Sequence, residues 1–240
     1  MGLLQNVVAA IFPDRCLACG GLVDGEGGLC GPCWRDMPFV VGAVCATCGA
    51  PLPGEAAGDE RCDDCLALAR PWDAGRTATT YEGAARQLVL RLKHADRLDL
   101  ARPAAGWMLR AARPLLTAGT VLVPVPSHWR RRVARRFSQA AVLAHAMGRA
   151  GGLAVEARAL IRTRATPVQD GMGVEARFRN VGDAIRPHPR LGARLAGRDV
   201  ILVDDVMTSG ATLAAATEAA RAAGAGRIGV ATLARVVRTP

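Results

Sequence analysis

The chain has 240 residues, half of them hydrophobic, and a formal net charge of +10. That length fits a globular protein with one sizeable core, or a small module beside one ordinary domain. No apolar run reaches the roughly 18–20 residues of a membrane span, so an integral helical membrane protein is excluded from the expectations.

Residues 1–11 are mildly apolar but carry neither a basic stretch nor a small-residue cleavage site. They read as a short amphipathic lead-in helix rather than a secretion signal, and the expected location is the cytoplasm. All eight cysteines come next, before residue 66, in four Cys-x-x-Cys pairs: Cys16/Cys19, Cys30/Cys33, Cys45/Cys48 and Cys62/Cys65. Four such pairs exceed what redox chemistry requires, and the spacing is that of metal ligands. Each knuckle offers two soft thiolates from one tight turn, and two knuckles complete a closed tetrahedral site with no position left for water. Two structural zinc ions are therefore expected, one for each consecutive set of four. Spacing alone leaves crossed pairing open. Gly20 and Gly49 directly follow the second cysteine of their knuckles, where a turn favours glycine.

Composition shifts at Arg70-Pro71, which sets expected domains of 1–70 for the cysteine module and 71–240 for the rest. Charge follows the same division. Four Arg face nine Asp or Glu up to residue 70, whereas 27 Lys or Arg face 12 acids beyond it. The basic excess suits an anionic ligand such as a phosphate, a pyrophosphate or a nucleic acid, though a solvated surface would also account for part of it. A strand is expected at 75–81, an amphipathic helix at 84–94 with Leu88 and Leu92 on one face, and a second helix at 101–112. There follow a short apolar strand at 120–125, a helix at 138–149, a strand within 153–161 and a polar, glycine-containing loop at 163–174. A fully apolar strand at 200–203, an alanine-rich helix at 211–223 and a strand at 227–233 complete the series. This alternation implies an α/β domain with a parallel sheet.

The most informative stretch runs from Val200 to Leu213. Its strand delivers Asp204 and Asp205 to the C-terminal edge, where open α/β sheets bind ligands. The turn Thr208-Ser209-Gly210-Ala211-Thr212 then opens a helix. Backbone N–H groups at a helix N-terminus, with three hydroxyls nearby, suit a phosphate dianion, and Gly210 lets the backbone approach closely. The two acids can accept hydrogen bonds from vicinal hydroxyls, as on a ribose. A plain N-capped helix would explain the hydroxyls but not the acid pair immediately before them. The chain has no P-loop motif.

The segment 200–213 resembles the phosphoribosyl pyrophosphate loop of type I phosphoribosyltransferases. With the cysteine pairs in front, the whole chain resembles the ComF family, a double zinc ribbon joined to a parallel-sheet type I phosphoribosyltransferase fold. Tyr81-Glu82-Gly83 with Arg91-Leu92-Lys93, Val123-Pro124-Val125-Pro126 with the stretch from Arg130 to Gln139, Thr166-Pro167-Val168-Gln169, and Arg177 with Asn180 are similar to further family motifs. Arg136 and Ser138 depart from the Gly and Asn usual in that family. The resemblance implies that Asp204, Asp205, Thr208, Ser209, Gly210, Ala211 and Thr212 hold phosphoribosyl pyrophosphate, which arrives with Mg²⁺. It places the pyrophosphate beside the loop after Val125, with Arg130 and Arg131 as the basic candidates. It also implies a role with incoming single-stranded DNA during natural transformation, with DNA-uptake proteins as partners. The alternative on the same fold is a metabolic phosphoribosyltransferase acting on a nucleobase or amine; a ligand-sensing regulator is a third reading.

Phosphoribosyl transfer needs Mg²⁺ and cations on the leaving group more than a protein nucleophile, so no catalytic residue is named. Lys93, the sole lysine, is read as structural or at the surface. His94, His128, His145 and His188 show no metal spacing. Trp34, Trp72, Trp107 and Trp129 are read as packing residues, with Trp129, set among arginines, a candidate for stacking on a base.

Overall fold

The computed structural model describes residues 14–23, 28–55, 58–94, 98–127, 138–164, 178 and 183–237. The lead-in helix expected at 1–11 lies outside them. Among the described residues there are seven strands: β1 Ala74–Thr80, β2 Val121–Pro124, β3 Ala154–Val155, β4 Leu160–Arg162, β5 Ile185–Pro187, β6 Val200–Met207 and β7 Ile228–Arg235. Five of them form a wholly parallel sheet in the order β1-β7-β6-β2-β3, while β4 and β5 make a separate antiparallel pair.

The apolar runs of β6 and β7 follow from burial on both faces. Ile201 and Val203 point to one side, Val200 and Leu202 to the other, as the pleat requires. The first side carries α3 (Gly83–His94), α4 (Ala101–Ala112) and α5 (Gln139–Gly151), whose Leu88, Leu92, Met108, Leu143 and Met147 fill one buried cluster. The second carries α6 (Ala211–Ala222), the β4–β5 pair and the second cysteine set. α6 meets the core through Leu213 and a file of alanines, including Ala216 and Ala220, whose small side chains let the helix lie close. Ser138 caps α5 by accepting a hydrogen bond from Ala141 N, and Gly152 ends it in the left-handed region at φ +64°.

Among the described residues, two short helices belong to the cysteine module: α1 (Gly31–Arg35) and α2 (Asp63–Ala67). The knuckle Cys45–Cys48 lies flat on β1. Gly75 N donates to Ala46 O at 3.0 Å, and Trp72 Nε1 donates to Thr47 O at 2.6 Å. The free edge of β1 is closed from the same module, because Val40 N donates to Ala78 O and Thr80 N to Pro38 O. An uncovered edge strand would invite foreign pairing, and this contact removes it. Among the described residues, no helix is long and apolar enough to cross a membrane.

Two expectations change. The strand read within 153–161 is two strands, because the chain turns at Glu156–Ala159 and leaves the main sheet; β3 pairs with β2, and β4 with β5. β6 extends four residues past the apolar run to Met207, because ladder bonds to β7 continue through Met207 opposite Arg235. Backbone pairing does not depend on apolar side chains, so the acids lie inside the strand rather than after it.

Candidate functional site

After β2 the chain crosses to β3 on one side of the sheet; after β6 it crosses to β7 on the other. The C-terminal ends of these two adjacent parallel strands therefore flank the point where the strand order reverses, the usual ligand crevice of such sheets. β2 pairs with β6 only as far as Pro124 opposite Val203, with one further bond from Val125 N to Val203 O. Beyond that, no strand among the described residues pairs with the edge of β6 that carries Asp204 and Asp205 on the β2 side. On the β2 side lies a cleft of about 440 Å³ lined by Pro124, Pro126, Ser138, Arg158, Arg162 and His188, among others.

The two carboxyls adjoin one another but differ in their surroundings. Asp205 turns to the α3 side, where Lys93 Nζ lies 3.2 Å from its Oδ2. Asp204 Oδ1 accepts from Asp205 N at 2.9 Å, and Asp205 Oδ1 from Val206 N at 2.8 Å. Burial, and then the negative charge of Asp205 beside it, hold the Asp204 carboxyl well above the usual carboxylate range. A ligand offering hydroxyl donors or a cation would reverse that preference.

The turn that follows opens α6. Thr208 is exposed, Ser209 and Gly210 are buried, and Ser209 Oγ accepts from Ala211 N. Gly210 sits in the left-handed region at φ +80°, where a Cβ would also come within 3.0 Å of Trp72. Ala214 N donates to Gly210 O to close the first turn. The earlier N–H groups of a helix have no intrahelical partner and favour an anion. Arginines hold the carbonyl side of the turn: Arg70 Nη1 donates to Ser209 O at 2.6 Å, and Arg235 Nη1 to Met207 O and Thr208 O.

The cysteines form two separate groups, Cys16/Cys19/Cys30/Cys33 and Cys45/Cys48/Cys62/Cys65, and in each the four sulfurs lie within 4.8 Å of one another. The sequential pairing is thus the one realised. A tetrahedron of sulfurs at the Zn–S distance has edges of about 3.8 Å; Cys19 and Cys30 are 3.7 Å apart, Cys48 and Cys62 3.6 Å. Burial pushes the Cys16 thiol up, but the backbone groups of Cys19, Cys30 and Ala18 outweigh it and bring it down to about 6. The residues fit structural zinc in both groups.

The sequence-derived site residues Asp204, Asp205, Thr208, Ser209, Gly210, Ala211 and Thr212 form one continuous strand-turn-helix element. Arg130 and Arg131 lie outside the described residues, as do Trp129, Arg136, Thr166, Gln169, Arg177 and Asn180. Lys93, expected to be structural or at the surface, is partly buried and pairs with Asp205. Arg70 and Arg235 were not singled out by the sequence at all. His188 serves a local turn, its Nδ1 accepting from Arg190 N and Leu191 N.

Residues 7–66 match the double zinc ribbon domain family, and residues 151–239 match the phosphoribosyl transferase domain family. The chain is 30% identical over 213 residues to the DNA utilization protein YhgH of Escherichia coli strain K12, covering 84% of this chain and 88% of that one. It is 27% identical over 230 residues to Competence protein F of Haemophilus influenzae, covering 93% and 98%. Among solved structures it aligns with a phosphoribosylpyrophosphate synthetase from Mycobacterium smegmatis at 18% identity, over 58% of this chain and 34% of that one, with a TM-score of 0.32.

Proposed function

The chain belongs to the ComF family, with its double zinc ribbon and phosphoribosyltransferase-like domain, and from that premise we propose that it binds phosphoribosyl pyrophosphate and acts in the cytoplasm in the uptake of single-stranded DNA during natural transformation. In this reading residues 1–70 are the ribbon module and 71–240 the ligand-binding domain. One observation carries the ligand: an acid pair and a helix-opening turn follow one another at the switch point between β2 and β6. Asp204 and Asp205 take the ribose hydroxyls, and the turn from Thr208 to Thr212 takes the 5-phosphate. The pyrophosphate extends over the end of β2, toward Arg130 and Arg131. Hard carboxylate oxygens at 204 and 205 suit Mg²⁺, which when bound offsets charge on the pyrophosphate.

The DNA part of the proposal rests on the relatives named for DNA utilization and competence, and on the basic excess after residue 70. Partners in DNA uptake belong to the same proposal.

Calorimetric titration of zinc-replete protein with phosphoribosyl pyrophosphate and Mg²⁺ tests the ligand. Saturable heat is expected, with affinity falling by roughly 1–3 kcal/mol for each charged hydrogen bond lost in an Asp204→Asn/Asp205→Asn protein. No binding by the wild type would overturn the reading. For the DNA part, affinity for single-stranded DNA should fall with salt in proportion to the phosphates contacted, and a flat profile would remove it.

A further inference from the structure

Two arginines tie the carbonyl side of the phosphate turn to the second cysteine set. Arg235, at the end of β7, is 2% exposed. Its Nη1 donates to Met207 O, Thr208 O and Val236 O, while Nη2 lies 3.0 Å from Asp64 Oδ2. Asp64 stands next to Cys65 on α2, a five-residue helix that begins immediately after Cys62 and has Cys65 as its sole buried residue. Arg70 makes the other tie. It donates to Ser209 O and lies 5.8 Å from the ring of Trp72, whose Nε1 donates to Thr47 O between Cys45 and Cys48. The carbonyls of Met207, Thr208 and Ser209 are each held by an arginine, and each arginine is connected to one knuckle of the same four-cysteine group.

A guanidinium bonded at both ends of its planar fork is a rigid strut, whereas a lone buried one is costly. α2 has almost no apolar packing of its own, so its position depends on the metal that gathers the cysteines. We propose that Asp64 and Arg235 are positioning residues through which the metal-bound second ribbon sets the geometry of the phosphate turn. Metal at Cys45, Cys48, Cys62 and Cys65 and ligand at residues 208–212 then strengthen each other, since coupling between two sites is reciprocal. The ligand half of this proposal rests on the reading of the turn as a phosphate site; the strut itself does not.

Hydrogen exchange on ligand-free protein tests the strut directly. In Asp64→Ala, amides of residues 208–212 should exchange ~10-fold faster, while those of β2 and β6 keep their protection and zinc content stays at two ions. Asp64→Glu should restore most of the lost protection, and Glu156→Ala, which breaks the remote ion pair with Arg194, should change nothing at the turn. Should Asp64→Ala loosen the whole sheet, Arg235→Lys carries the same test, since an ammonium cannot span the carbonyls and Asp64 together. Unchanged exchange at the turn in both variants, or uniform loosening of the sheet in both, overturns the proposal. With ligand present, saturating phosphoribosyl pyrophosphate should raise the affinity for one of the two zinc ions by ~10-fold, read by equilibrium competition with a chelator. If exchange responds to Asp64→Ala but the wild type binds no phosphoribosyl pyrophosphate, the strut stands and the ligand reading fails.

Discussion

Alanine at Gly49 should destabilise the protein far more than alanine at Gly20. The two glycines hold the same place in their knuckles and nearly the same backbone angle, φ +71° and +78°. Each substitution therefore incurs the left-handed penalty of about 1–2 kcal/mol. Their surroundings differ. A Cβ at Gly20 meets nothing within 4 Å, whereas one at Gly49 would lie 2.5 Å from Thr77 N, 2.6 Å from Arg76 Cα and 2.8 Å from Arg76 C. Those atoms are backbone of β1, locked to β7 on its other side, and cannot give way. The knuckle must lift instead, straining the Gly75–Ala46 and Trp72–Thr47 hydrogen bonds at about 1 kcal/mol each. The expected losses are about 3–4 kcal/mol for Gly49→Ala and about 1–2 kcal/mol for Gly20→Ala. Urea unfolding at a fixed free zinc concentration measures both, with equal slopes required for comparison. Losses equal within about 0.5 kcal/mol would refute the docking of the second ribbon onto β1.

Three other outcomes are expected. Because Asp204 holds its proton more tightly in the folded chain than the ordinary value of 3.8, wild-type stability falls as pH rises from that value through the raised native one. Asp204→Asn lacks this penalty, so its melting temperature should gain on the wild type across that window and then level; a pH-independent difference would contradict the buried acid pair. Lys93→Met removes the cation facing the pair, so the pH at which Asp204 ionises should rise and the onset of ligand binding should move to higher pH, read from affinity against pH. Stripping zinc with a chelator should lower the melting temperature and make all eight thiols reactive, whereas zinc-free protein melting like the native would rule out a structural metal.

Those parts of the site that are local in sequence were readable there. The cysteine sets carry their own ligand spacing, and β6, the turn and α6 follow one another without interruption. The strand–helix alternation sufficed for the fold class. What escaped were contacts made over long separations by single residues. Arg70 reaches Ser209 across 139 positions, and Arg235 reaches Asp64 across 171; neither has a neighbour in sequence that marks it. Lys93 stood out only as the sole lysine, and its role depends on how the end of α3 meets β6. Gly75 carries no local signal either, since its need for a missing Cβ arises from Thr47 O lying where the Cβ would be. β4 and β5 are three residues each and pair with one another, too short for alternation to reveal.

The most direct measurement is a crystal structure of the zinc-loaded protein with phosphoribosyl pyrophosphate and Mg²⁺. The expected placement puts the 5-phosphate against the backbone of residues 208–212 and the ribose hydroxyls on Asp204 and Asp205. A ligand seated elsewhere, on the arginine-rich surface with the turn empty, would contradict it.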